Sequence, residues 1–454
     1  MSLTEGGPTP AASALKIAWY GDDFTGATDT LATAALAGMR ALLFLDLPTP
    51  AQLERAGPLD CLGIAGAARA MTPGEMQVEL EPVGELFARL GAPVIHYKTC
   101  STFDSAPHTG SIGAAIRILK SHVRNPLVAI IGGQPNLRRY CVFGNLFAGA
   151  GAGTEVSRID RHPTMSRHPV TPMHEADLRL HLSQQGLPQV VSLDYTSYTS
   201  EPSALESKLA QLVDAQPDAV LFDIGHADHL APVGKLVWQH AQQQTILAAG
   251  PSSVVQALAA HWKADAGESS SDPGLAFPTT IAPAQGPVLV LAGSLSPMTA
   301  RQMQAAKSFR QVLLDAAQLT HAEAGNAYSA QMAQDIAALL HAGHHVLACT
   351  SSETTAPDAS ADGRSLAKAC GELLAQVLRL RPLKRLGIAG GDTSSHSVQA
   401  LDAWGLSYQA QLAPGVALCR LHSDDASLDG LEIMLKGGQM GSETLFEDLV
   451  SGIA

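Results

Sequence analysis

Gly21-Asp22-Asp23-Phe24-Thr25-Gly26-Ala27 decides how this chain is read. Before it, residues 15–20 form a short, mostly apolar run that ends at a glycine, as a buried strand does. After it, residues 25–38 are rich in helix-forming alanine and close on a glycine suited to a helix C-cap. Strand, polar turn and helix in that order open an α/β fold. In open α/β sheets ligands bind beyond the carboxyl ends of the strands, so this turn is the first place to look for chemistry. Asp22 and Asp23 can accept hydrogen bonds from a polyol, and either can take a proton from a hydroxyl. Asp and Thr are also ordinary helix caps, and the motif alone divides evenly between the two readings.

The same rhythm continues outward. Residues 41–47, 93–97, 127–131, 190–193, 219–224 and 245–249 read as strands separated by helical stretches, which predicts a parallel sheet. Residues 264–286, rich in Ser, Gly, Pro and Ala, read as a linker. A second rhythm follows, with strands at 287–292, 311–314, 344–350, 385–389 and 415–420 and a helix over 397–403. The expected fold is therefore α/β: two α/β domains, each with a largely parallel sheet, and an active-site cleft between them. The boundaries are 15–263 for a first domain, 264–286 for the linker and 287–454 for a second domain.

Composition bounds the function. A chain of 454 residues has room for two or three domains, and 46% apolar residues fill their cores. The net charge of −13 lacks the basic footprint of a nucleic-acid-binding surface. It does not exclude small anions, because a pocket can be locally positive on an acidic protein. Six cysteines without a CxxC pair read as neither a disulfide framework nor a zinc site. No apolar run approaches a membrane span. The expectation is a reduced, cytoplasmic protein with neither nucleic acid nor membrane as partner; a homo-oligomer is compatible with the sequence.

Further candidates lie at other strand ends. Lys98, Thr99, Cys100 and Ser101 offer a cation and hydroxyls to a small carboxylate, and Cys100 reads better as a small half-buried side chain than as a nucleophile. Arg161-His162-Pro163 and Arg167-His168-Pro169 place cations where they can neutralise a carboxylate or a phosphoryl group. Three glycine-rich turns follow in the second half: Gly293-Ser294, Gly390-Gly391-Asp392-Thr393 and Lys436-Gly437-Gly438. Glycine lets backbone approach a phosphate, and a helix start presents free N–H groups to it. None matches GxxxxGK[ST].

The order GDDFTGATD, YKTCSTFDSAP with GSIG, RHPVTPM, GGDTSS and LKGGQMGS resembles the four-carbon acid sugar kinase family from about residue 17 to about residue 448. The resemblance implies an N-terminal domain for an acid sugar and a C-terminal domain for ATP. Members phosphorylate a terminal hydroxyl of threonate, erythronate, 3-oxo-tetronate or the branched 3-oxo-isoapionate. It puts Asp22 and Asp23 in the first acidic motif, one of them as base, and Lys98, Cys100 and Ser101 in the substrate motif. Arg69 ends a segment that is hydroxyl-rich in members and alanine-rich here, and would join Lys98 in holding the carboxylate. Ser294, Gly390 to Thr393 and Gly438 match nucleotide contacts, with Mg2+ bridging the phosphates. Against this stand a sugar-acid sensor without catalysis and a dehydrogenase. The second is weakened because the first turn is not GxGxxG and two carboxylates repel a pyrophosphate. Convergence of Lys98, Arg69, Arg161, Arg167 and Lys436 on one cleft is the electrostatic expectation.

Overall fold

A computed structural model describes residues 15–149, 155–168, 170–266, 280–293, 296–321, 325–350 and 359–453. The N-terminal lobe contributes β1 (Ile17–Gly21), β2 (Ala41–Phe44), β3 (Cys61–Ala65), β4 (Val94–Lys98) and β5 (Val128–Gln134). The short β6 (Arg139–Val142), β7 (Asn145–Gly149) and β8 (Val156–Arg158) follow, and then β9 (Val190–Leu193), β10 (Ala219–Asp223) and β11 (Ile246–Gly250). Its main sheet runs β2-β3-β1-β4-β11-β5-β10-β9, and every neighbouring pair is parallel. β1 lies between β3 and β4 and is buried on both faces, which is why it is apolar without strict alternation. Trp19 joins the core on one face with Phe24 and Leu31; Tyr20 joins the other with Tyr97 and Phe87.

The C-terminal lobe contributes β12 (Val288–Ala292), β13 (Phe309–Leu314), β14 (His345–Thr350), β15 (Arg385–Ala389), β16 (Gly405–Ala413), β17 (Val416–His422) and β18 (Glu432–Lys436). Its order is β13-β14-β12-β15-β18-β17-β16, parallel as far as β18 and antiparallel thereafter. In each lobe the chain leaves the middle of the sheet in opposite directions, from β1 and β4 in the first and from β12 and β15 in the second. Those are topological switch points, where α/β sheets open a ligand crevice.

Three features depart from the expectation. The two sheets are joined edge to edge, because β2 pairs antiparallel with β16 through Phe44–Gly405 and Leu43–Leu406. Arg55 lies over the Trp404 ring at 4.8 Å beside this seam. The helix Ser253–Ala266 runs past the expected linker start at 264, and Ile281 bridges to Ile453, so both ends of that segment belong to the lobes. Finally, β5 continues through Gly133, at φ +96, into the antiparallel β6–β8 sheet, which sequence periodicity did not reveal. The positive φ there is open to glycine and strained for most other residues.

Helices Leu230–Gln243 and Ser253–Ala266 pack closely where Gly234 faces the Ala257 carbonyl, leaving no space for a Cβ. Gly234→Ala should therefore destabilise the N-terminal lobe by about 1–3 kcal/mol. Denaturant unfolding measures this, and unchanged stability would show that the two helices part without penalty.

Candidate functional site

The first acidic turn is built by helix capping. The Asp23 carboxylate accepts the Gly26 N–H and the Thr25 hydroxyl, which starts the helix Phe24–Leu36 directly at the end of β1. Asp22, one residue earlier, is bound into the sheet. Its N–H donates to the Lys98 carbonyl at 3.0 Å, and its own carbonyl accepts the Arg69 N–H at 3.1 Å. Three strand ends thus meet around two carboxyls, since Lys98 closes β4 and Arg69 follows β3.

The two carboxyls have different surroundings. Asp23 forms an ion pair with the Arg69 guanidinium. Burial alone would raise its pKa, but Arg69, then Lys98, then the Gly26 and Thr25 hydrogen bonds hold it below the usual carboxylate value. Asp22 accepts the Cys100 N–H at 3.3 Å through Oδ2, while Oδ1 is buried with no hydrogen-bond partner among the described residues. Burial, reinforced by the Asp23 charge, pushes the Asp22 carboxyl up to about 7. One carboxyl is therefore held ionised and the other is poised near neutrality, the separation expected when neighbouring acids are set up for different tasks.

Lys98 is buried, with its ammonium donating to the Thr99 carbonyl at 2.7 Å and lying against Gly26. Thr99 is buried at the end of β4, with its N–H on the Gly250 carbonyl. Cys100 is half-buried, with Sγ 3.0 Å from the Thr102 hydroxyl. Burial and then Asp104 push its thiol up to about 12, so it is no thiolate nucleophile near neutrality. Ser101 is half-buried in the same turn. Phe103, fully buried, takes φ 54 in this turn, an uncommon conformation that the packing around it enforces.

The nucleotide candidates reach this point from the other lobe. Gly390 takes φ 127 and caps the helix Gly391–Gln399. The expected helix start at 397 was too late: Gly391, Asp392 and Thr393 form the first turn itself. A Cβ on Gly391 would lie 2.8 Å from Arg69 Nη2. On the next strand, a Cβ on Gly437 would lie 3.9 Å from Thr25 Oγ1. The glycine turns of the C-terminal lobe and the acidic turn of the N-terminal lobe therefore share one interlobe crevice. Ser294 lies outside the described residues.

Lys436 corrects the charge expectation. It is fully buried, and its ammonium donates to the Thr299 hydroxyl at 2.8 Å and lies 3.4 Å from the Gly438 carbonyl. Burial pulls it down to about 7. Ser296 and Thr299 also donate to the Gly438 carbonyl, so Lys436 braces the Gly437–Gly438 turn from beneath. Arg161 and Arg167 are exposed on short 3-10 turns, so they do not join Lys98 and Arg69. His168 is half-buried and uses Nδ1 to accept the Thr171 N–H at 3.1 Å. Of the five cations expected to converge, Lys98 and Arg69 do. Two residues not singled out belong to the neighbourhood: Asp104, buried and accepting the Thr102 hydroxyl, and Arg139, whose charge lies within reach of Asp104. Asp104 lies within the quoted motif; Arg139 carries no local sequence signal, since β6 itself was not read.

The family model of a sugar-binding N-terminal domain matches residues 17–258, and that of a nucleotide-binding C-terminal domain matches residues 289–446. A 3-oxo-isoapionate kinase from Paraburkholderia graminis is 39% identical over 452 residues, covering 95% of this chain and 93% of its own. A 3-oxo-tetronate kinase from Cupriavidus necator is 28% identical, covering 94% of each chain. Among solved structures, a Salmonella typhimurium protein superposes with TM-score 0.74 at 23% identity, covering 95% of this chain and 98% of its own. A Haemophilus influenzae protein does so with TM-score 0.65 at 23% identity, with the same coverage. The fold is therefore shared over both lobes. Both family models fall on the lobes in chain order, and with kinases among its full-length relatives the chain belongs to the four-carbon acid sugar kinase family.

Proposed function

We propose that this protein uses ATP to phosphorylate a terminal hydroxyl of 3-oxo-isoapionate, or of a closely similar four-carbon acid sugar such as 3-oxo-tetronate. The higher identity to the 3-oxo-isoapionate kinase favours the branched substrate. The observation that carries the reading is the meeting of Asp22, Asp23 and Arg69 with the Gly391 helix start across the interlobe crevice. We place the boundary between lobes after Ala266 and before Ile281, and the site of action in the reducing cytoplasm, where the six free cysteines stay reduced. No helix among the described residues is long and apolar enough to cross a membrane.

Asp22 is the base in this proposal. Its unpartnered Oδ1 accepts the proton of the acceptor hydroxyl as that oxygen bonds to the γ-phosphorus and ADP departs. A carboxyl near neutrality suits that proton transfer better than one held ionised at low pH. Asp23 keeps the Arg69 guanidinium at the lobe boundary, where it can neutralise charge on the transferring phosphoryl group. The N–H groups of Gly391, Asp392 and Thr393 receive phosphate oxygens at the helix start. Gly437 and Gly438 offer backbone on the other side, braced by Lys436. The described residues contain no group of three or more His, Cys, Asp or Glu arranged to hold a metal ion. An Mg2+ brought in with ATP would need few protein ligands, since that ion keeps several waters and binds substrate phosphates. When bound, Mg2+ and ATP supply the transferable phosphoryl group and the neutralisation of its charge.

These assignments have measurable outcomes. Wild-type protein with ATP and Mg2+ should release ADP faster with 3-oxo-isoapionate than with 3-oxo-tetronate, threonate or erythronate. Binding without ADP release would instead favour the sensor reading. Activity should rise with pH through about 7 as Asp22 ionises. Asp22→Asn should abolish that rise and lower kcat by about 10²–10⁴-fold. Asp23→Asn removes the adjacent like charge and should move the inflection to lower pH. A wild-type profile in Asp22→Asn would remove it as the base. The raised Asp22 pKa also favours folding below about pH 4 and loses that contribution as pH rises through 7, so Asp22→Asn should flatten this part of the stability profile. Gly391→Ala, crowding Arg69 and the helix start together, should raise the KM for ATP about tenfold or more; an unchanged KM would place the nucleotide elsewhere.

A further inference from the structure

Two buried guanidiniums of this molecule have a carboxylate. Arg69 pairs with Asp23, and Arg385, nearly fully buried, pairs with Glu432 at 2.6 Å. Arg139 has none among the described residues. Its Nη1 donates to the carbonyls of Leu137 and Gly149, at 2.7 and 3.0 Å, and its Nε is buried with no partner. Burial pulls the guanidinium below its ordinary pKa, as expected for a cation whose desolvation is not offset.

Its place in the fold gives this unpaired charge a direction. Arg139 opens β6 opposite Gln134, the last residue of β5, and so stands over the carboxyl end of the N-terminal sheet, the ligand side. Asp104, in the turn after β4, lies within reach of its charge. His162 lies beside it, 4% exposed, with Nδ1 accepting the N–H groups of Thr164 and Met165 at 3.2 and 3.1 Å. That arrangement puts the ring proton on Nε2, on the side of the Gly149 carbonyl that Arg139 also reaches.

The charge balance of the site calls for such a cation. Asp22, Asp23 and Asp104 present three carboxyls, while Arg69 and Lys98 present two cations that are already engaged. With Asp22 ionised, as the base must be, an incoming sugar carboxylate would meet net repulsion from these five groups alone. Arg139 brings carboxyls and cations to three each, and its unused Nε offers a donor that no protein carboxylate occupies.

We propose that Arg139, backed by His162, is the subsite that receives the substrate carboxylate, so that this end of the acid sugar lies against β6 and the opposite hydroxyl end points to Asp22. This deepens the acid-sugar kinase reading and rests on it for the class of ligand. It also moves the carboxylate away from Arg69, leaving that side chain to Asp23 and the lobe boundary.

Titration calorimetry of threonate and of its neutral isostere threonamide into the ATP-free, full-length protein tests the subsite. Wild type should prefer threonate by about 100-fold, as breaking a desolvated charge pair implies. Arg139→Gln should erase that preference while leaving threonamide affinity unchanged. Arg139→Lys, which keeps the charge but loses the planar fork, should retain part of it. Should Arg139→Gln fail to fold, the reduced preference in Arg139→Lys decides the matter. A wild-type preference retained in the folded variants, or no preference in the wild type, overturns the assignment. ADP release by the wild type with 3-oxo-isoapionate is read separately, so failure of the kinase reading is told apart from failure of the subsite.

Discussion

Arg69 is the side chain on which the two halves of this molecule come to terms. Its backbone N–H is anchored on Asp22, its guanidinium pairs with Asp23, and another of its nitrogens crowds Gly391 across the lobe boundary. A buried ion pair of this kind is weak support for stability, because desolvation consumes much of the attraction. Its value lies in position. With Arg69 committed to Asp23, that carboxyl stays ionised, and its charge in turn helps to keep the neighbouring Asp22 near neutrality. A Cβ on Gly391 would displace the guanidinium from its place.

The glycine turns of the C-terminal lobe show how a fold can use a lysine without presenting it. Lys436 follows the strand direction of β18 straight into the core, where its stem packs and its ammonium meets Thr299 and the Gly438 carbonyl. A lysine beside paired glycines suggests phosphate binding from sequence, since the residue types are right. The strand geometry gives it a buried place: side chains alternate between faces along a strand, and this one falls on the buried face. Arg161 and Arg167 fail for the opposite reason, because their turns leave them in solvent.

Strands β1, β4, β12 and β15 were legible because buried parallel strands are continuous apolar runs, and the acidic and glycine turns follow from where those runs stop. What stayed hidden depends on distant pairing. β18 carries a charge at each end, β3 is interrupted by Gly63 and runs on into alanines, and β6 to β8 follow where Gly133 turns the chain out of the main sheet. Asp22 and Asp23 were identifiable as a pair, but the division of labour between them was not. It follows from the helix cap, from Arg69 and from the Cys100 N–H, contacts that bring together residues far apart in the chain. Arg139 was invisible for the same reason as the strand that carries it.

The seam between β2 and β16 bears on how such a protein opens. Lobes tied only by a linker can swing apart as separate bodies, whereas here two residue pairs stitch the sheets into one surface. Opening that keeps this stitch takes the form of a change in twist, spread over many strands as small rotations. A twist centred on the seam is felt at both switch points at once. The molecule is in that sense closer to a torsion spring than to a jaw, with one seam common to both sheets.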